Sequence, residues 1–201
     1  MIGVVAGYKA LASAGRSIVD LLNLRIDQTL APARRPKAVM AGTVDFDKVN
    51  SSPTAVIQYP AISVYCYKIC VDRETRPGWS AVGSVDGIPR IPLRMHLMLS
   101  AWDTVVESEL EWLGLAAQIL ESESIFTGPL LHPTGDWDPG DAIQIVTDEI
   151  ALEPMSEAFQ ALTTKYRLSL LYIARVIVIE GRQQPVGERV TTVGARTEVR
   201  A

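Results

Sequence analysis

Two cysteines, two histidines and a scatter of carboxylates are the side chains of this 201-residue sequence from which chemistry could be built. Nucleophilic catalysis needs a serine or cysteine with a base in hydrogen-bond reach and donors for the developing oxyanion. Cys66 and Cys70 stand four apart in AISVYCYKICV, a segment that reads as a strand. A strand holds residues at that spacing roughly 13 Å apart, too far for a local disulfide. A metal would need more ligands than this pair, and neither His96 nor His132 lies at a metal-binding spacing from it. The cysteines therefore read as small core residues on one strand face. His96 falls in strand alternation and reads as a partly exposed strand residue; His132, between Leu131 and Pro133, reads as a loop residue.

The carboxylates converge no better. Asp136, Asp138 and Asp141 follow Gly135 in a calcium-loop-like run, but the sixth-position glycine and closing glutamate of such a loop are missing, so a solvated turn is expected. Glu107, Glu109, Glu111, Glu121 and Glu123 are spread around a helical segment and read as a solvated surface, not a paired acid and base. Gly78, Gly83 and Gly87 precede no helix start and form no phosphate loop. No catalytic residue, cofactor or metal is expected.

The elements that must carry these residues come from hydrophobic periodicity. With 48% hydrophobic and 21% charged residues, one well-filled domain is the default, and a net charge of −4 disfavours broad nucleic-acid binding. No apolar run is long enough to span a membrane, and Met1–Leu22 lacks the layout of a secretory leader, so a mature protein made in the cytoplasm is expected. Val4, Tyr8, Leu11, Gly15, Ile18 and Leu22 predict a helix from about Gly3 to Leu24. Ala31–Lys37, with two prolines, must leave it, and a short extended piece over Ala38–Phe46 is expected next.

Ala61–Val71 predicts a strand with Ile62, Val64, Cys66 and Cys70 on one face, Tyr65, Tyr67, Ile69 and Val71 on the other, and both faces largely covered. A polar connection, Arg73–Arg90, leads to IPLRMHLMLSAW, in which Leu93, Met95, Leu97 and Leu99 alternate with Arg94, His96, Met98 and Ser100; the two strands suggest a long hairpin. Val106, Leu110, Leu113, Ala117 and Leu120 predict a helix within Thr104–Ser124. Thr127–Gly140 reads as a surface loop and Ala142–Ile150 as a strand. Pro154–Leu162 reads as a short helix and Lys165–Glu180 as a central strand covered on both faces. From Arg182 the sequence has no helical stripe and no room for a core. The prediction is an α+β fold, a mainly antiparallel or mixed central sheet with flanking helices, as a globular domain over 1–181 followed by an extended arm or tail over 182–201.

Four blocks in order carry a resemblance. The first, YPAISVYCYKICVDRETR, has Pro60, Tyr65, Tyr67 and Arg76, with Asp72 where asparagine is usual. The second, IPRIPLRMHLMLSAW, opens with Pro89 and has Leu97, Ser100 and Trp102 in place of the commoner Tyr, Thr and Tyr. The third is a helix with Glu109, Leu113, Gly114 and Leu120. The fourth runs from a short helix, with Phe159 replacing the frequent Trp, through Tyr166, Arg167, Leu168, Ser169 and Tyr172. Over about Met1–Glu180 the chain resembles the cap, or tail-terminator, proteins of extracellular contractile injection systems, the group that includes antifeeding-prophage and Photorhabdus virulence cassette particles.

The resemblance implies a phage-tail-terminator-like fold and a structural, non-enzymatic role. It implies a ring, six subunits being the expectation, seated on the last layer of inner tube and sheath, stopping polymerisation and anchoring the sheath end. Such a protein is expected to assemble in the cytoplasm and become part of the particle, with itself, sheath and inner-tube subunits as partners. A closed ring needs two different patches on each subunit. Candidates lie in the 73–90 loop (Arg73, Arg76, Trp79), the 127–140 loop (Trp137) and the arm (Arg189, Val190, Val193, Arg196). Val190–Val193 has the β propensity to add a strand to a neighbouring sheet, as strand exchange in such particles implies; a disordered tail is the plainer reading. A baseplate or adaptor subunit of the same kind of particle, and a small enzyme without recognisable motifs, are the alternative readings.

Overall fold

The computed structural model describes residues 6–79, 88–149, 159 and 167–181. Helix α1 (Ala10–Thr29) is followed by strand β1 (Lys37–Met40), the one-turn helix α2 (Thr43–Phe46), and strands β2 (Ala61–Val71) and β3 (Arg90–Trp102). Helix α3 (Val106–Ser122) then leads to β4 (Ile125–Thr127), β5 (Ala142–Thr147) and β6 (Ser169–Glu180). The six strands form one sheet in the order β1-β2-β3-β6-β5-β4. Only β1 and β2 are parallel; the other ladders are antiparallel. The expected α+β class, mixed sheet and long β2–β3 hairpin are all present.

Both long helices cover one face of the sheet. Ala10, Ala14, Ile18, Leu22 and Ile26 of α1, with Leu113, Ala116 and Leu120 of α3, bury Ile62, Val64, Leu97, Leu99, Ala174 and Ile177. The small residues of α1 allow close approach. A side chain at Gly15 would lie 2.9 Å from the Met40 methyl carbon, so glycine lets β1 sit against the helix. A smaller cluster on the opposite face joins Phe46, Ile57, Met98, Trp102 and Leu171 to Phe159, which is helical and fully buried.

Several element boundaries differ from the sequence reading. Helix α1 begins at Ala10, leaves Tyr8 exposed, and runs past Leu24 to Thr29, because Leu21, Leu22 and Ile26 continue its buried side. The Ala38–Phe46 piece is a four-residue strand and then a helical turn, in which Asp45 accepts the Gly42 N–H at 2.7 Å. The α3 stripe is rotated: Trp112, Leu113, Ala116, Ile119 and Leu120 are buried, whereas Val106 and Leu110 face outward. The cause is Asp103, which accepts the Trp112 indole N–H at 3.3 Å and the Thr104 amide at 2.6 Å and draws the tryptophan side inward. Burial opposes the Asp103 charge, yet these donors hold its carboxyl below the usual range.

Strand β2 has the expected bounds but is covered only over Ala61–Val64; Ile69 and Val71 are exposed. The 127–140 stretch is preceded by the unforeseen β4, which ends at Thr127, and folds inward, burying Leu131 and Gly135. Strand β5 stops at Thr147. The short helix expected over Pro154–Leu162, Phe159 apart, lies outside the described residues, as do Tyr166 and the arm from Arg182.

Candidate functional site

The polar residues meet because of two irregularities in the sheet. Between Cys66 and Lys68 the β2–β3 register shifts by one, so Cys66 faces Leu97 while Lys68 faces His96 and Cys70 faces Arg94. An extra residue in a strand reverses which face every later side chain joins. Cys66 stays on the helix side, whereas Cys70, expected beside it, moves to the opposite face. A second shift, opposite Leu93–Met95 of β3, brings Arg175 of β6 to the same place.

There Asp72, fully buried, accepts from Arg94 Nη2 at 2.8 Å and from the Glu74 amide at 3.1 Å, and Arg175 Nη2 lies 3.2 Å from its other oxygen. Its hydrogen bond from Arg94, against the cost of burial, lowers the Asp72 pKa to about 2. Glu74, more exposed, bridges Arg94 and Arg175 from outside.

Beside this cluster runs a second line of contacts. His96 Nδ1 lies 2.8 Å from Asp148 Oδ2, and His96 Nε2 lies 3.4 Å from Cys70 Sγ. The Tyr67 hydroxyl donates to the same Asp148 oxygen at 3.1 Å, and its ring meets the imidazole edge-on at 5.8 Å. Burial first, then the Asp148 charge, pushes the Tyr67 hydroxyl well above its ordinary pKa. A carboxylate only accepts, so in the neutral ring Nδ1 carries the proton and Nε2 presents its lone pair to the thiol. His96 is thus on its strand as expected but tied on both sides, and Cys70 is not a core residue. Sequence periodicity missed this line because the Tyr67 bulge breaks the alternation that would have revealed it.

His132 serves the framework. Its backbone carbonyl accepts from Ser13 Oγ at 2.6 Å and from Trp137 Nε1 at 2.9 Å, and its amide donates to Ser17 Oγ at 2.7 Å. A Cβ at Gly135 would lie 2.3 Å from Trp137 Nε1. Trp137 is half-buried, its N–H directed inward at Ser13 Oγ and the His132 carbonyl. Asp138 and Asp141 close a turn, the Asp138 amide donating to Asp141 at 2.8 Å. Among the described residues no group of three or more His, Cys, Asp or Glu could hold a metal ion, and no helix is long and apolar enough to cross a membrane.

Of the other candidate contact residues, Arg73 and Arg76 are exposed, and Arg76 donates to the Arg90 carbonyl at 2.6 Å. Trp79 ends the helical turn Arg76–Trp79. Arg189, Val190, Val193 and Arg196 lie outside the described residues. Exposed apolar residues gather elsewhere: Val105, Val106 and Leu110 at the start of α3, Met40 on edge strand β1 and Ile125 on edge strand β4.

The four blocks are joined at one point. The Arg167 guanidinium stacks over the Trp102 ring, 4.5 Å from its centroid, and pairs with Glu109 in the first turn of α3. Trp102 donates to Ser63 Oγ at 2.8 Å, and Ser100 and Ser169 share a hydrogen bond of 2.7 Å. Blocks two, three and four thus meet on block one's strand, and the motif residues hold the α3–β6 corner to the hairpin.

This arrangement of sheet and helices is the fold of terminating caps of tail-like particles. One solved structure sharing it is described as the sheath/tube terminator of PVC, an extracellular contractile injection system, in its extended state: TM-score 0.56, 16% identity, 95% of this chain and 64% of that chain covered. Another is the tube-terminating cap of the anti-feeding prophage, with TM-score 0.51, 15% identity, and 92% and 59% covered. The chain spans less than two thirds of either protein. No curated protein matches it. Residues 14–192 match the Pvc16 N-terminal domain, and the chain belongs to that family. The match runs past Gly181 into the segment read as an arm.

Proposed function

We propose that this chain caps a contractile injection particle, closing into a ring, six subunits being the expectation, on the last layer of inner tube and sheath. The observation that carries this reading is the family match over residues 14–192 on a fold shared with two terminators. The task is to cover a growing end, which calls for complementary surfaces and not for turnover. The surface of the chain is suited to it: edges β1 and β4 differ from each other, as head-to-tail ring contacts require, and Val105, Val106 and Leu110 offer further exposed apolar area at the start of α3. Arg73, Arg76 and the arm carrying Arg189, Val190, Val193 and Arg196 are the further contacts in this reading. Trp137, with its indole N–H directed inward, would contribute through its ring edge.

Electron microscopy of particles assembled without the chain tests the proposal. Tubes and sheaths of uncontrolled length, or sheaths that come away, are expected; particles of normal length and integrity would overturn it. A label on the chain should appear at the end remote from the baseplate, and a label at the baseplate would assign it to an adaptor instead.

A further inference from the structure

We propose that Cys70 is a modification site, a nucleophilic thiol that takes up small anionic disulfides by exchange, with His96 as its base and Asp148 as the residue that positions His96.

The geometry supplies the parts that such an exchange needs. Sγ lies 3.4 Å from an imidazole nitrogen whose opposite nitrogen is fixed at 2.8 Å by a carboxylate. Tyr67 pins that carboxylate from a second side. Cys70 lines an open depression of about 690 Å³ with Lys68, Val71, Arg73, Glu74 and Arg94. Arg94 is occupied by Asp72 and Glu74, whereas Lys68 and Arg73 enter no ion pair with another described residue and face incoming ligand with positive charge. Cys66 is the internal contrast: it lies on the helix side, burial pushes its thiol up, and it is directed at the Lys68 carbonyl at 3.6 Å.

The chemistry fits sulfur better than carbon. Acyl transfer would need a pair of donors placed for an oxyanion. Displacement at sulfur needs no such hole. In the exchange, Sγ attacks one sulfur of R–S–S–R while its proton passes to His96 Nε2. The disulfide bond breaks, its electron pair leaves on the departing sulfur, and that sulfur takes the proton from His96. The products are a mixed disulfide at Cys70 and one free thiol, and the small disulfide is the only oxidant.

The test uses the full chain, glutathione disulfide as the anionic probe and cystamine as a cationic one, with the adduct located by peptide mass spectrometry. Modification is expected at Cys70 and not at Cys66, unchanged in Cys66→Ala, and faster with glutathione disulfide than with cystamine after each rate is normalised to free cysteine. His96→Gln should slow it about a hundredfold or more, in line with the lower end of base catalysis, with the thermal midpoint retained. Asp148→Asn should slow it less. Should His96→Gln not fold, the wild-type rate decides: Cys70 reacting no faster than free cysteine overturns the proposal. So does an adduct on Cys66, or a folded His96→Gln that reacts at the wild-type rate. Preference for cystamine overturns the assignment of an anionic partner.

Discussion

At the scale of single residues, two positions hold more of the molecule together than their types suggest. Asp72 sits buried between Arg94 and Arg175, so Asp72→Asn leaves two guanidinium groups with only the exposed Glu74 as countercharge and none on their buried side. We expect a loss of about 3 kcal/mol in urea unfolding at neutral pH, the low end for breaking a buried pair. Because the Asp72 pKa is lowered from 3.8 to about 2, its contribution is complete above the unfolded value and lost as pH falls from about 4 towards 2. Thermal unfolding followed over that range should show a component in the wild type that Asp72→Asn lacks. Gly135→Ala would drive a methyl group into the Trp137 indole and Ser13 and should cost at least about 1–3 kcal/mol, measurable as a lowered thermal midpoint. Neither role is legible in the sequence. Asp72 appears there as one acid in a polar turn, and Gly135 as one loop glycine among several.

At the scale of elements, what the sequence made legible follows from alternation, and what it hid follows from breaks in alternation. Ala61–Val71 was bounded correctly because a segment dense in β-branched and aromatic residues gives way to a polar turn. The face of each side chain was correct up to Cys66 and reversed after the bulge, which is why Cys70, His96 and Asp148 were read separately and not as a line. The α3 stripe was misplaced for a different reason: Val106 and Leu110 fit the helical period, but Asp103 anchors Trp112 and turns them out. Those outward residues belong to the proposed contact surface. Val106→Glu with Leu110→Glu should leave the thermal midpoint nearly unchanged and reduce ring formation in analytical ultracentrifugation. Removing Arg182–Ala201 should likewise leave circular dichroism of the body intact and weaken co-sedimentation with particles; undiminished docking would make the segment a plain tail.

At the scale of the whole molecule, the class and the order of elements were accessible because one domain with four spaced blocks leaves few ways to layer two helices on a sheet. The order in which strands lie side by side was not accessible, since β6 enters between β3 and β5 and nothing local specifies that insertion. That order has a consequence for directionality. Four of the five ladders reverse the chain and one does not, so the outermost strands, β1 and β4, point the same way. If rotation alone carries one copy onto the next and the sheet continues across the seam, β1 meets its neighbour's β4 as a parallel pair, with evenly spaced, slanted hydrogen bonds. A two-fold pair joined through β1 would instead run antiparallel. Strand polarity at the seam is therefore a compass that separates a head-to-tail circle from a symmetric dimer, and amide isotope-edited infrared spectroscopy of the assembled protein can read it.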